Sequence, residues 1–155
     1  MGLTRSGSEI AFARLGASKT DSDVAAVILF RAPIATGSGG FMALIKERLE
    51  KDASLSRFEI QQQNLDLSQD RAYMCATYHA LSIDHGKSSF LTKRQPLLFE
   101  MLVLYCQHPE KPGLAFAVSF SHRGLTPLPT FQAESKEFIA GVQVAQPPKS
   151  ESNAQ

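Results

Sequence analysis

The sequence predicts an α+β domain built on an antiparallel, largely meandering sheet of about six strands, with helices packed on it. Strand-like runs separated by turn residues recur along most of the 155 residues. Two other segments place apolar residues at helical spacing, one early in the chain and one near its end. The resulting order is β-β-α-β-β-β-β-α, and its short links between neighbouring strands are typical of antiparallel pairing.

The first half of the chain predicts two strands and one helix. The strands cover Glu9 to Leu15 and Val24 to Arg31, with turn residues between them. Pro33 ends the second strand, and a glycine-rich loop follows it. A helix from about Gly40 to Lys51 comes next, because apolar residues recur there at spacings of three and four.

The second half predicts four strands and a final helix. The strands are Phe58 to Leu67, Arg71 to Ile83, Leu97 to Cys106 and Leu114 to Arg123. Thr130 can N-cap the helix, whose apolar side carries Phe131, Phe138, Ile139 and Val142. Both faces of the Leu97 to Cys106 run are largely apolar, as in a central strand that is covered on both sides. We therefore expect helices or loops on each face of the sheet.

Composition bounds the domain organisation and the class of protein. We expect one globular domain over residues 1–145 and a disordered tail over residues 146–155, which lacks large apolar side chains. The net charge of +1 favours neither a nucleic-acid partner nor a polybasic membrane anchor. The longest wholly apolar run, Val24 to Phe30, is too short to be a transmembrane segment. Neither a phosphate-loop nor a dinucleotide-binding glycine pattern occurs, so we expect no cofactor.

Cys75 and Cys106 are the only cysteines and lie in two neighbouring predicted strands. If the loop from Asp84 to Pro96 closes symmetrically, the two cysteines face each other directly, at a separation that a disulfide accepts. We expect a structural disulfide, with two free buried thiols or a redox pair as alternatives; no C-x-x-C pattern supports the redox pair.

A disulfide indicates a compartment outside the reducing cytosol. We therefore expect a periplasmic or envelope-associated protein, with a cytoplasmic location as the alternative. No signal peptide is visible in the first residues, Met1 to Ser8. That opening fits a native start, or a start from which an export segment has been removed.

His79, Glu100 and His122 form a candidate polar cluster. A turn at Pro109 to Gly113 predicts a hairpin in which Glu100 lies opposite His122, with His79 diagonal to Glu100 on the same face. Two imidazoles and a carboxylate can hold a divalent metal or act as a general acid–base pair. Side chains on a flat sheet project in parallel, however. We therefore expect a hydrogen-bonded cluster in which Glu100 accepts from His122, with no metal site and no catalytic residue.

Several local phrases carry a family resemblance. They are Tyr105-Cys106-Gln107-His108-Pro109, a strand ending in Ser121-His122-Arg123, and a final helix from Ser135 to Val142. From about Phe41 to Val144 the chain resembles small bacterial exported or lipoprotein-type domains of unknown function, with a PsbP-like α/β/α sandwich. The resemblance implies a binding or assembly module and supplies no catalytic residues.

These observations favour a non-enzymatic binding or accessory domain of the bacterial cell envelope, whose protein partner or small ligand the sequence does not identify. One alternative is a small metal-dependent or acid–base enzyme that uses His79, Glu100 and His122. The other is a cytosolic adaptor domain with two free thiols.

Overall fold

The computed structural model describes residues 8–52, 57–86 and 95–145, together with the backbone of residues 2–5. This part of the chain forms two helices and one antiparallel open sheet. The strands are β1 (Gly2–Arg5), β2 (Glu9–Leu15), β3 (Ser22–Arg31), β4 (Phe58–Ser68), β5 (Cys75–Asp84), β6 (Leu97–Gln107) and β7 (Leu114–Gly124). The helices are α1 (Gly37–Asp52) and α2 (Phe131–Gly141).

The strand order in the sheet is β1-β2-β3-β7-β6-β5-β4. The six longer strands, β2 to β7, correspond to the six predicted strands, and β1 adds four residues along the edge of β2. The predicted start of β5 at Arg71 is wrong, since residues 71–73 form bends and the strand begins at Cys75. Strands β4 to β7 form a continuous meander, and the β2–β3 hairpin joins it where β3 pairs with β7. Because β3 and β4 are separated by three strands in this order, α1 connects distant parts of the sheet.

Helix α1 covers part of one face, the α1 face. Phe41 and Ile45 are its buried residues, and they pack against strand residues that include Ala76, Val103 and Ala117. Small side chains on the strands allow the helix to approach the sheet closely. Tyr105 is buried in this layer, and burial raises the pKa of its hydroxyl to about 12, since the phenolate would lose its hydration there.

Helix α2 covers the opposite face, the α2 face. Phe131 packs edge-on against Phe120 with ring centroids 5.6 Å apart. Phe138 and Ile139 lie against buried strand residues that include Phe116. The expectation that both faces of the sheet are covered is therefore confirmed, and the resulting core is apolar on both sides of β6.

Helix α1 begins earlier than predicted. The segment from Gly37 to Gly40 was expected to be a loop, but it forms the first turn of α1. Glycine is a poor helix former, so composition alone favours a loop there, and the packing of Phe41 and Ile45 outweighs that preference. The predicted tail, residues 146–155, lies outside the described residues, as does most of the β5–β6 loop.

Candidate functional site

The two cysteines form a disulfide that joins β5 and β6. Cys75 and Cys106 are directly opposed in the ladder with α-carbons 4.1 Å apart, as the symmetric loop predicts. Both side chains are buried, at 1% and 0% exposure, in a cluster with Leu104, Phe116 and Val118. A redox-active cysteine needs access to solvent, and neither of these side chains has it.

The predicted strand registers are also confirmed. Glu100 pairs with His122 on β7 and with Leu81 on β5, while His79 pairs with Leu102, the neighbour of Glu100 on the same face. All three members of the predicted cluster therefore project from the α2 face, at the end of the sheet away from the disulfide.

The hydrogen bonds within this cluster differ from the prediction. His79 Nε2 lies 2.8 Å from Glu100 Oε1, whereas His122 Nδ1 lies 2.7 Å from Asp23 Oδ1. The expectation that Glu100 accepts from His122 is therefore wrong. The reason is the pairing of β3 with β7, which places Asp23 directly opposite His122 on its other side.

Asp23 also anchors a wider network. Its Oδ2 accepts hydrogen bonds from Arg14 Nε and Nη2 at 2.9 and 2.7 Å, and Arg14 Nη2 donates to Glu134 of α2 at 2.7 Å. Hydrogen bonding to Asp23 is the main cause of the raised pKa of Arg14. His122 Nε2 lies 3.1 Å from the carbonyl oxygen of Thr126, in the loop before α2. The network therefore connects α2 and its leading loop to the ends of β2, β3 and β7.

Within the predicted cluster, the His79–Glu100 pair is the part suited to acid–base chemistry. The two side chains are 29% and 17% exposed, so water and small solutes reach the imidazole. A carboxylate that holds an imidazole in one orientation is a common arrangement in general acid–base catalysis. Among residues 8–52, 57–86 and 95–145, no group of three or more His, Cys, Asp or Glu side chains is placed to hold a metal ion.

A second charged cluster lies on the α1 face, and the sequence analysis missed it. Asp84 is fully buried and accepts from Arg57 Nε and Nη2 at 2.8 and 2.9 Å and from the backbone N–H of Gly86 at 2.8 Å. Arg123 Nε lies 2.8 Å from Asp84 Oδ2, but its N–H does not point along a hydrogen bond. Hydrogen bonds from Arg57 are the main cause of the lowered pKa of Asp84.

A groove of about 480 Å³ runs beside this cluster, between the C-terminal end of α1 and strand β4. Its apolar lining includes Phe58, Ile60, Tyr78, Ala80, Phe99 and Met101. The rings of Phe58 and Phe99 contact each other with centroids 5.2 Å apart. The signal for this groove in the sequence is the alternation on β5 and β6, which places small residues beside large apolar ones on one face.

A smaller groove of about 400 Å³ lies on the other flank of α1. Charged side chains of both signs line it, among them Glu47, Arg48 and Lys51. The Arg48 guanidinium lies 3.9 Å from the centre of the Phe30 ring. This groove therefore offers a ligand less apolar surface than the one beside β4.

The sequence matches no protein-family model and no curated protein. The described helices include none with the length and apolar character needed to cross a bilayer. The assignment of a function therefore depends on the disulfide, the charged clusters and the groove beside β4.

Proposed function

We propose that this protein is a non-enzymatic binding or accessory domain of the bacterial cell envelope, and that the groove beside β4 is its binding site. The groove carries the proposal, since concave apolar surfaces of about 300–1,000 Å³ with a few polar groups nearby are typical of small-ligand sites. The bacterial envelope and the accessory role come from the PsbP-like resemblance and the disulfide.

The lining of the groove suits an apolar ligand. α1 covers only one end of its face, and the floor between α1 and β4 carries small residues such as Ala80 beside the larger Met101 and Phe99. The hydroxyl of Tyr78 donates to Gln63 Oε1 at 3.1 Å, so this polar atom of the lining already has a partner. An apolar ligand can therefore enter without leaving that hydroxyl unpaired.

Binding of the neutral fluorescent dye N-phenyl-1-naphthylamine tests the groove. We expect its emission to rise with the wild-type protein and the affinity to fall about tenfold or more in Ile60→Glu, since a charge would then border the apolar site. Ile10→Glu is the matched control: Ile10 and Ile60 are 40% and 43% exposed, but Ile10 projects from the α2 face.

Two outcomes would contradict the proposed binding function. One is the absence of saturable dye binding by the wild-type protein. The other is an equal effect of Ile60→Glu and Ile10→Glu, which would show that the dye adsorbs to exposed apolar residues in general.

The disulfide supports the envelope location, because such bonds persist in oxidising compartments. Thiol counting on protein taken from its native host, under denaturing and non-reducing conditions, should find no free thiol. Two free thiols would instead favour the cytosolic adaptor, and the envelope location would then lose its support.

The second candidate function is that of a small acid–base enzyme, and the 2.8 Å contact between His79 and Glu100 favours it. A metal-dependent form of this enzyme would require His122 to turn away from Asp23. Stoichiometric zinc in protein purified without a histidine tag, lost in both His79→Ala and His122→Ala, would place this candidate first.

A further inference from the structure

We infer that the groove beside β4 takes a single-chain amphiphile with a free carboxylate head, whose chain lies in the groove and whose head pairs with Arg57 and Arg123. This inference rests on the proposed binding function and adds the chemical class of the ligand. It depends on where the two arginines lie, how their charge is balanced and how the rims of the groove differ.

Neither arginine lines the groove itself, but each lies next to an aromatic residue that does. The guanidinium of Arg57 lies 4.9 Å from the centre of the Phe58 ring. Arg123 is the register partner of Phe99, so their side chains leave the same face of adjacent strands. Because Phe58 and Phe99 both line the groove, a chain in contact with these rings has its end near both guanidinium groups.

A single carboxylate faces two guanidinium groups, so the cluster of Arg57, Asp84 and Arg123 has a net charge of +1. A carboxylate offers about four lone-pair positions, and each guanidinium carries five N–H donors. Asp84 already accepts two hydrogen bonds from Arg57 and one from Gly86, so it cannot satisfy the donors of both arginines.

The exposure of these side chains leaves room for a second carboxylate. The Asp84 side chain is 0% exposed, whereas those of Arg57 and Arg123 are 30% and 32% exposed. Each arginine side chain therefore has part of its surface in solvent, while the buried Asp84 carboxylate holds it on the protein side. Arginine binds carboxylates through two parallel hydrogen bonds, which suits an anionic head that arrives from solvent.

The charges on the opposite rim of the groove determine which way round the ligand binds. Glu50 and Asp52 of α1 line that rim. Asp52 pairs with Arg48 at 3.5 Å, which leaves the negative charge of Glu50 to repel an anionic head. A carboxylate is therefore favoured at the arginine end and disfavoured at the α1 end.

Three ligands with the same twelve-carbon chain test the inference by isothermal titration calorimetry, with the two ionic ligands below their micelle concentrations and the alcohol below its solubility limit. They are dodecanoate, neutral dodecanol and cationic dodecyltrimethylammonium. We expect dodecanoate to bind about tenfold or more tightly than dodecanol, with the cationic ligand weakest. The advantage of dodecanoate should shrink as salt is raised, because the arginines are partly exposed.

Arg123→Gln should remove most of the difference between dodecanoate and dodecanol while leaving the dodecanol affinity unchanged. Arg31→Gln is the control, since Arg31 is exposed at the other end of the sheet. Arg123→Lys should keep part of the preference for dodecanoate over dodecanol, because lysine retains the positive charge but cannot form the bidentate pair of hydrogen bonds. Thermal unfolding of each variant shows that the comparison is made on folded protein.

The outcomes separate this inference from the proposed function. Equal affinity for dodecanoate and dodecanol would overturn the carboxylate assignment and leave the binding groove intact. An equal loss of both affinities in Arg123→Gln would also overturn it. If none of the ligands binds and the dye does not bind either, the proposed binding function fails as well. Binding to phosphatidylglycerol vesicles without binding to dodecanoate would identify a lipid surface instead and contradict the inference.

Discussion

At the scale of single residues, Asp84 is a carboxylate that folding removes from solvent. It is fully buried and pairs with both Arg57 and Arg123. We expect Asp84→Asn to destabilise the protein by about 2–3 kcal/mol at pH 7, less than for a wholly buried ion pair, because the arginines keep some contact with water. Urea denaturation measures the loss, and Asp70→Asn, at an exposed position, should change stability by less than about 0.5 kcal/mol.

The difference in stability between the wild type and Asp84→Asn should fall at low pH. The folded state lowers the pKa of Asp84 below its unfolded value of about 3.9. A lowered pKa contributes stability that is complete above the unfolded pKa and is lost as the pH falls through the folded pKa. The gap between wild type and Asp84→Asn should therefore be constant above about pH 5 and shrink below about pH 4. A gap unchanged down to pH 3 would show that charge is not its cause.

The candidate polar cluster shows which features of single residues could be predicted from the sequence. The common face of His79, Glu100 and His122 could be predicted, since it depends only on two hairpin registers. The hydrogen-bond partners could not, because Asp23 belongs to a strand that is remote in sequence from His122. The Asp84 cluster was missed for a related reason, as Arg57, Asp84 and Arg123 come from three separate segments.

At the scale of elements, β7 supplies much of the core on the α2 face. Phe116 and Phe120 are 5% and 7% exposed, and α2 packs against both. We expect Phe116→Ala and Phe120→Ala each to destabilise the protein by about 3–5 kcal/mol, the usual cost of removing a buried ring. Guanidinium denaturation measures the loss. Phe12→Ala, on the same face but 41% exposed, is the matched control and should cost about 1 kcal/mol or less.

The loss of stability in Phe120→Ala also tests whether α2 covers the centre of the α2 face. If Phe120→Ala cost no more than Phe12→Ala, α2 would not cover the centre of this face. Strands such as β7 could be predicted because apolar and small residues alternate along them with period two. β1 was missed because its four residues carry no such pattern, and its identity as a strand depends on hydrogen bonds to β2.

At the scale of the whole molecule, the meander from β4 to β7 could be predicted and the complete sheet could not. Consecutive strands joined by short turns pair with each other, so local sequence determines their order. The pairing of β3 with β7 brings together residues that are far apart in sequence, such as Ser22 and Arg123, which are 101 positions apart, and no local pattern specifies it. The groove beside β4 likewise depends on how far α1 reaches across its face, which is a property of the assembled layers.

The disulfide acts at this same scale, because it joins two central strands across a separation of 31 residues. On the chain-entropy account, closing a loop of that length stabilises the folded state by about 3–4 kcal/mol, chiefly by restricting the unfolded chain. We expect Cys75→Ala/Cys106→Ala to lose about this amount in urea denaturation under oxidising conditions, together with any cost of the small cavities left. Reduction with dithiothreitol should lower the stability of the wild type and leave that of the double variant unchanged. Equal sensitivity to dithiothreitol would show that the reductant acts elsewhere, and no loss in either test would mean that the packing of Leu104, Phe116 and Val118 holds the two strands without the bond.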